Sequence, residues 1–243
     1  MRMTRSHVAL PLRVGEEVVL PEDVAAHLSR VLHLQPGDAC VLFNGDGRDF
    51  DARIVAIGKR EVRAQVLAAR VVDNESPLRI TLLQGIARGD RMDWILQKAT
   101  ELGVARILPV SSDRSEVKLD AQRADKRLAH WRGIVVAACE QSGRAHVPAI
   151  DTPQALSAGA MQRGGHGILL DPFATASLAS MRTVMQNTCT IAVGPEGGWS
   201  PRDREQLAAA GFQGARLGPR VLRTETAGIA AIAALQVLCG DLG

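Results

Sequence analysis

Apolar residues recur at two different spacings along this chain, and the change falls near residue 73. Before it, short alternating runs dominate. Ala39 to Phe43 reads as a strand, and Phe50 to Ile57 and Val62 to Val72 alternate well enough for two more. Asn44-Gly45-Asp46-Gly47 is a hairpin-type turn signal between the first two. Ahead of them, Val24, Leu28, Val31 and Leu32 sit at helical spacing and predict one short helix over Glu22 to Leu34. Short strands around glycine-rich turns predict a small barrel.

Asp73-Asn74-Glu75-Ser76-Pro77 is polar and ends in proline, so the expected division is residues 1–72 and 73–243. Beyond it strands alternate with helices. Strands are expected at Leu78 to Leu83, Val104 to Val110, Ile168 to Leu170, Thr190 to Val193 and Ala215 to Leu217. Helices are expected at Arg91 to Leu102 (stopped by Gly103), Asp120 to Ser142, Thr152 to Met161, from Ser200-Pro201, and from Thr224 to about Leu238. Ser200 has the chemistry of a helix cap, with Asp203 three residues on, and Thr224 reads at least as a plain cap. This alternation predicts an α/β domain with a parallel sheet covered by helices on both faces. In such sheets ligands bind at the carboxyl ends of the strands.

Composition narrows the chemistry. No apolar run is long enough to span a bilayer. Met1 to His7 carries charge with no apolar stretch behind it, so a secretory leader is not expected there. Cys40, Cys139, Cys189 and Cys239 are far apart, form no CxxC pair and have no nearby histidine at ligand spacing. They read as buried reduced thiols of a cytoplasmic protein, with no metal. The net charge of +3 does not announce a nucleic-acid binder, and 25 arginines against 4 lysines read mainly as composition bias. Tyrosine is absent and aromatics make up 3% of the chain, which argues against a base-stacking platform of the RRM kind.

Two glycine-rich segments remain, each between an apolar run and a helix signal. The first is Gly194-Pro195-Glu196-Gly197-Gly198-Trp199-Ser200, and the second is Leu217-Gly218-Pro219-Arg220-Val221-Leu222-Arg223-Thr224-Glu225-Thr226-Ala227. Each reads either as a tight strand-to-helix turn or as a loop that lets a ligand approach the backbone closely. Neither is a phosphate loop: no Lys-Ser/Thr follows, GxGxxG is absent, and Glu196 is misplaced for an anion site. A nucleotide-dependent phosphotransferase is disfavoured for the same reason.

Together, "GPEGGWS" and "LGPRVLRTETA" resemble the two cofactor loops of the RsmE-type ribosomal RNA methyltransferases of the SPOUT superfamily. "DWILQKATELGV", "EQSGRAHVP", Arg114-Ser115 and "HLSRVLHLQPGD" are similar to further blocks of that family. The resemblance implies a PUA-like N-terminal barrel that grips RNA and a C-terminal SPOUT domain whose end threads a trefoil knot. It also implies a homodimer with its pocket near the subunit interface, S-adenosylmethionine as methyl donor, and N3 of a uridine in 16S ribosomal RNA of the small subunit as acceptor. Cofactor contacts carried over are Leu170, Val193, Gly194, Pro195, Glu196, Gly197, Gly198, Leu217, Gly218, Leu222, Arg223, Thr226 and Ala227. RNA contacts carried over are Arg5, Arg30, Arg88 and Arg91. The chain departs from the family pattern at Ser6, His7, His33 and Trp199, and has Arg88 and Arg91 where lysines are common.

A sulfonium donor is already activated, so the protein mainly positions reactants and handles one proton. Arg114 and Arg144 are candidates to stabilise the anion that develops on the uracil carbonyls, or else to grip phosphate. The proton acceptor is Glu140, Glu196 or water, and Glu140 serves equally as a helix salt-bridge partner; His146 reads as structural. A different reading is a non-catalytic ribosome-assembly factor on the same fold, which would be expected to have lost the glycines or Arg223.

Overall fold

The computed structural model describes residues 4–58, 61–115, 121–183 and 186–243. Met1 to Met3 and Asp120, the expected start of the long helix, lie outside the described residues. The chain packs as two units, Met1–Glu75 with Cys139–Val147, and Ser76–Ala138 with Pro148–Gly243.

The first unit contains β1 (Arg5–His7), β2 (Glu17–Val19), α1 (Glu22–Ala26), β3 (Ala39–Phe43), β4 (Arg48–Ile57) and β5 (Val62–Val71). The strands form one sheet in the order β1-β3-β4-β5-β2, antiparallel except for the β1–β3 pair. Irregular pairing at Asp51/Ala52 and Ile54/Ala56 increases the local twist. Leu42, Phe50, Ile54 and Val66 of the sheet share a buried core with Leu28 from the turn after α1. The expected helix over Glu22 to Leu34 is shorter than its apolar spacing suggests. α1 passes into a π-helical turn at His27–Val31, and His33 leaves it with φ of 55°. Pro36 forces the residue before it into an extended backbone, so the helical path has to end there.

The second unit contains β6 (Arg79–Gly85), α2 (Asp90–Glu101), β7 (Arg106–Ser111), β8 (Ala149–Ile150), β9 (Gln154–Ala155), α4 (Leu156–Ala160), β10 (His166–Leu170), β11 (Thr188–Val193), α5 (Pro201–Ala209), β12 (Phe212–Ala215) and α6 (Thr224–Cys239). The long α3 (Ala121–Ser142) begins in this unit and ends in the first. The strands form a seven-stranded parallel sheet in the order β12-β10-β11-β6-β7-β8, with β9 also paired to β7. Leu83 packs with Leu156 and Ala160 of α4 and Leu207 of α5. The next residue, Gln84, bonds to Thr224 of α6. Successive strand residues point to opposite faces, so helices cover both sides of the sheet, as the alternation predicts.

Three expected elements shift. The helix expected at Thr152 to Met161 keeps only Leu156–Ala160, because Gln154 and Ala155 pair with Val110 and Ser111 instead. The last strand ends at Ala215, and Leu217 is already in a loop. Thr224 begins α6 but does not cap it with its side chain. Ser200 does cap α5, in a reciprocal arrangement with Asp203.

All four cysteines are free thiols. Burial pushes Cys40 and Cys139 up to about 11 and Cys189 up to about 12, so all three stay protonated at neutral pH. Among the described residues, no helix is long and apolar enough to cross a membrane, and no cluster of three His, Cys, Asp or Glu side chains is placed to hold a metal ion.

Candidate active site

Three loops leave the carboxyl ends of β10, β11 and β12, and together they enclose a cavity of about 520 Å³ in the second unit. That volume suits a ligand of drug size. The loop after β11 turns tightly, with the Gly198 N–H donating to the Pro195 carbonyl at 2.8 Å and Gly198 at φ of 66°. Trp199, only 4% exposed, anchors the loop in the core. Pro195 lies against the end of β6: a Cβ on Gly85 would sit 2.5 Å from its ring. Two glycine positions therefore fix the path of this loop before any ligand is considered.

The loop after β12 is tied to the first through the start of α6. The Thr224 hydroxyl donates to the Gly194 carbonyl at 2.5 Å and accepts from Gln84 Nε2 at 3.1 Å. The residue read as a cap is instead a bridge between the sheet and both loops. After β7, Asp113 latches onto the start of α5, with Ser200 Oγ donating to its carboxylate at 2.8 Å. This places Arg114 beside the first loop, where its Nη1 donates to the Gly197 carbonyl at 2.9 Å.

All the expected cofactor contacts line the cavity except Gly218 and Thr226. Gly218 shapes the second loop through its φ of 76°, and Thr226 is exposed on α6. Leu170, Val193, Leu217, Leu222 and Ala227 supply apolar wall. Arg91 and Arg114 also line the cavity, so a residue expected to grip RNA stands in the pocket itself. Glu196 accepts from the Arg88 N–H at 3.0 Å and from Arg91 Nη1 at 2.8 Å. Burial works the other way, yet these bonds hold its carboxyl below its ordinary value. Glu225 also lines the cavity, and its Oε2 is buried without a hydrogen-bond partner among the described residues.

Sequence reading missed most of the third loop. Asp171, Pro172 and Phe173 line the cavity beside Leu170, and Asp171 is held by Arg204 of α5. The available signal was an Asp-Pro step directly after an apolar strand at the carboxyl edge of the sheet.

Three expected site residues, Arg5, Arg144 and Glu140, are engaged elsewhere. Arg5 is not an exposed RNA contact: its side chain is 8% exposed, paired with Asp49, and donates to the carbonyls of Cys139 and Arg144. Arg144 is buried and forks onto Glu75 at 2.5 and 2.9 Å, and Glu140 accepts from the His7 N–H at 2.9 Å. Both belong to the first unit, and neither lines the cavity. Arg30 and Arg88 are exposed, and the Arg88 N–H donates to Glu196. His146 packs its ring against the Gly47 turn, a structural position.

Comparison with known proteins gives a consistent answer. A family model for an RNA methyltransferase domain matches residues 74–236, and one for an RNA methyltransferase PUA domain matches residues 20–67. The ribosomal RNA small subunit methyltransferase E of Buchnera aphidicola is 31% identical over 99% of this chain and 98% of its own. That of Neisseria gonorrhoeae, in a crystal structure with S-adenosylmethionine bound, is 41% identical with a TM-score of 0.92 over 100% of both chains. A Legionella pneumophila protein whose structure also holds that cofactor is 35% identical with a TM-score of 0.94 over 100% of both chains. With two family models in chain order and full-length likeness to these proteins, the chain belongs to the family of ribosomal RNA small subunit methyltransferase E.

Proposed function

We propose that this protein transfers a methyl group from S-adenosylmethionine to N3 of a uridine in 16S ribosomal RNA, acting in the cytoplasm on the small ribosomal subunit. The observation that carries the reading is the cavity at the strand carboxyl ends, walled by glycine loops with apolar side chains between them. The residues present fit the cofactor. Leu170, Val193, Leu217 and Leu222 offer apolar wall, and Gly194, Gly197 and Gly198 let a ligand come close to the backbone with no side chain of their own. When bound, the cofactor supplies a methyl carbon already activated by its sulfonium.

The protein's own part is positioning, charge and one proton. Arg114, held at Gly197, presents a fixed positive charge at the cavity for the anion that develops on the acceptor base. Arg144 does not share that task in this reading, since its guanidinium is committed to Glu75. Glu196 is a poor proton acceptor, because two donors already stabilise its charge. Glu225, the lining carboxylate with an unpartnered oxygen, is the acceptor this arrangement offers.

The reading extends to topology and assembly. α6 follows β12 yet packs on β11, and Thr224 reaches Gln84 of β6, so the chain crosses back past β10. This supports the threaded C-terminus implied by the family. α6 buries Gly228, Ala231, Ile232 and Leu235 within its own chain, while Val237 is 55% exposed and Ala230, Ala233 and Ala234 are only half covered. An apolar second side on a helix supports a homodimer. Two measurements test the function. Calorimetry should detect S-adenosylhomocysteine binding, and mass spectrometry of 16S RNA from a deletion strain should show loss of one methyluridine. An unchanged methylation pattern would overturn the activity, and binding without methylation would favour the assembly-factor reading.

A further inference from the structure

The chain's four phenylalanines divide sharply: Phe43, Phe50 and Phe212 are 0–5% exposed, and Phe173 is 82% exposed at the cavity's edge. Its exposure is not that of a loose loop. The Asp171 carboxylate accepts from the Phe173 N–H at 3.0 Å and from Arg204, the Asp171 carbonyl accepts from the Ala174 N–H at 3.1 Å, and the Asp171 N–H donates to the Ala215 carbonyl at 3.0 Å. Pro172 stiffens the same turn. The ring is thus presented to solvent by a turn braced to both β12 and α5. From the second loop, Val221 lines the same cavity and is 74% exposed.

We propose that Phe173 and Val221 are the apolar jaws that hold an unstacked base of RNA at the mouth of this pocket, with Phe173 as the stacking face. This rests on the RNA methylation reading above. A base whose ring atoms are to be modified has to leave its stack, and the loss is offset by stacking on an aromatic or apolar side chain in the pocket. The surrounding charge selects the occupant. Arg114, Arg220 and Arg223 line the same cavity and are exposed, which suits a polyanion and opposes a second copy presenting the same rim. The deeper apolar walls, Leu170, Val193 and Leu217, already provide for a small-molecule ligand without the ring. Few aromatics rule out an open stacking platform, but one braced ring at a pocket mouth suffices for one base.

The experiment compares Phe173→Ala, Phe173→Leu and Phe173→Trp with wild type. It measures S-adenosylhomocysteine affinity, sedimentation, and binding to and methylation of small ribosomal subunits from the deletion strain. Phe173→Ala is expected to lose roughly ten- to hundredfold in kcat/KM for the subunit, the range of one base–aromatic stack. S-adenosylhomocysteine affinity should stay within about twofold of wild type, with Phe173→Trp restoring activity and Phe173→Leu restoring little. A parallel loss of S-adenosylhomocysteine affinity would overturn the proposal by making the ring a cofactor wall. Dissociation of the assembly would overturn it in favour of a protein contact, and unchanged kcat/KM would leave the ring no role. If wild type binds S-adenosylhomocysteine but methylates nothing, the activity reading fails by itself. Stacking is then decided by subunit binding, where equal affinity of wild type and Phe173→Ala would end it.

Discussion

At Gly197 one added carbon would lie 3.0 Å from Arg114 Cβ and 3.4 Å from its carbonyl oxygen. Gly197→Val therefore has to push the first loop away from the arginine that it holds. Overpacking of this kind costs about 1–3 kcal/mol, and here the loop rather than the core yields. The expected result is a fall of about tenfold or more in S-adenosylhomocysteine affinity by calorimetry, with the fold kept and a melting temperature lowered by roughly 2–10 °C. Affinity equal to wild type would exclude the first loop from the pocket. Glu196 allows a second test, in pH. Its folded pKa is depressed by Arg88 and Arg91 against the opposing effect of burial. Such a group stabilises the loop above its unfolded pKa, and the contribution is lost as pH falls through the lower folded value. Cofactor affinity is expected to hold through mildly acidic pH and drop only below the ordinary carboxylate range, a drop that Glu196→Gln should lack. A drop of equal size in the Gln variant would assign the acid sensitivity elsewhere. At this scale the sequence was readable wherever a residue type has one strong use. Glycines marked the loops and Ser200 the cap. The partners of Arg5, Glu140 and Arg144 were not readable, because charge looks the same in a sequence whether it faces solvent, pairs with Asp49 or Glu75, or accepts from the His7 N–H.

Elements are joined at the pocket by the Gln84–Thr224–Gly194 bridge, which ties β6, α6 and the first loop together. Thr224 is buried, so Thr224→Val keeps the shape but takes the hydroxyl from the Gly194 carbonyl and leaves Gln84 Nε2 with its bond to the Gly85 carbonyl alone. Leaving such a carbonyl unsatisfied costs about 1–3 kcal/mol, expected as a lower denaturant midpoint with weaker S-adenosylhomocysteine binding. Weaker binding at unchanged stability would mean that the hydroxyl faces the ligand instead. α6 carries another prediction. Ala231 is fully buried within its own chain, so a charge there tests folding and says nothing of assembly. Ala234 is only half covered, and Ala234→Arg should yield a folded monomer by sedimentation if that side meets a partner. A wild type that is an active monomer at micromolar concentration would remove the dimer altogether. Periodicity recovered the long elements to within a few residues, as with α2 and its stop at Gly103. It failed where backbone pairing competes with side-chain pattern. Gln154 and Ala155 went to a strand edge, and the His27–Val31 turn widened beyond regular helical spacing.

The whole molecule departs most from a linear reading at Cys139–Val147, the last turn of the long α3 and the residues after it, which pack with the first unit. No local pattern announces this. It depends on Arg5 donating to Cys139 and Arg144 and on Glu75 pairing with Arg144, contacts between residues far apart in the chain. The consequence is practical. A chain beginning at Ser76 would remove Glu75, the carboxylate onto which the buried Arg144 forks, and losing one partner of a buried pair destabilises strongly. Such a truncation cannot isolate the role of the first unit in gripping RNA, whereas a point change on its surface can. Arg30 is exposed at the π-helical turn, beside Val31 at 62% and Leu32 at 39% exposure, and it is the expected RNA contact of this unit that is free of a buried pair. If its role is phosphate contact, Arg30→Ala should weaken binding to small subunits at low salt and reduce the slope of log affinity against log salt by about one. S-adenosylhomocysteine affinity should not move, because Arg30 lies outside the residues that line the cavity. An unchanged slope with unchanged affinity would take RNA contact away from this face and leave Arg30 as a solvated surface charge.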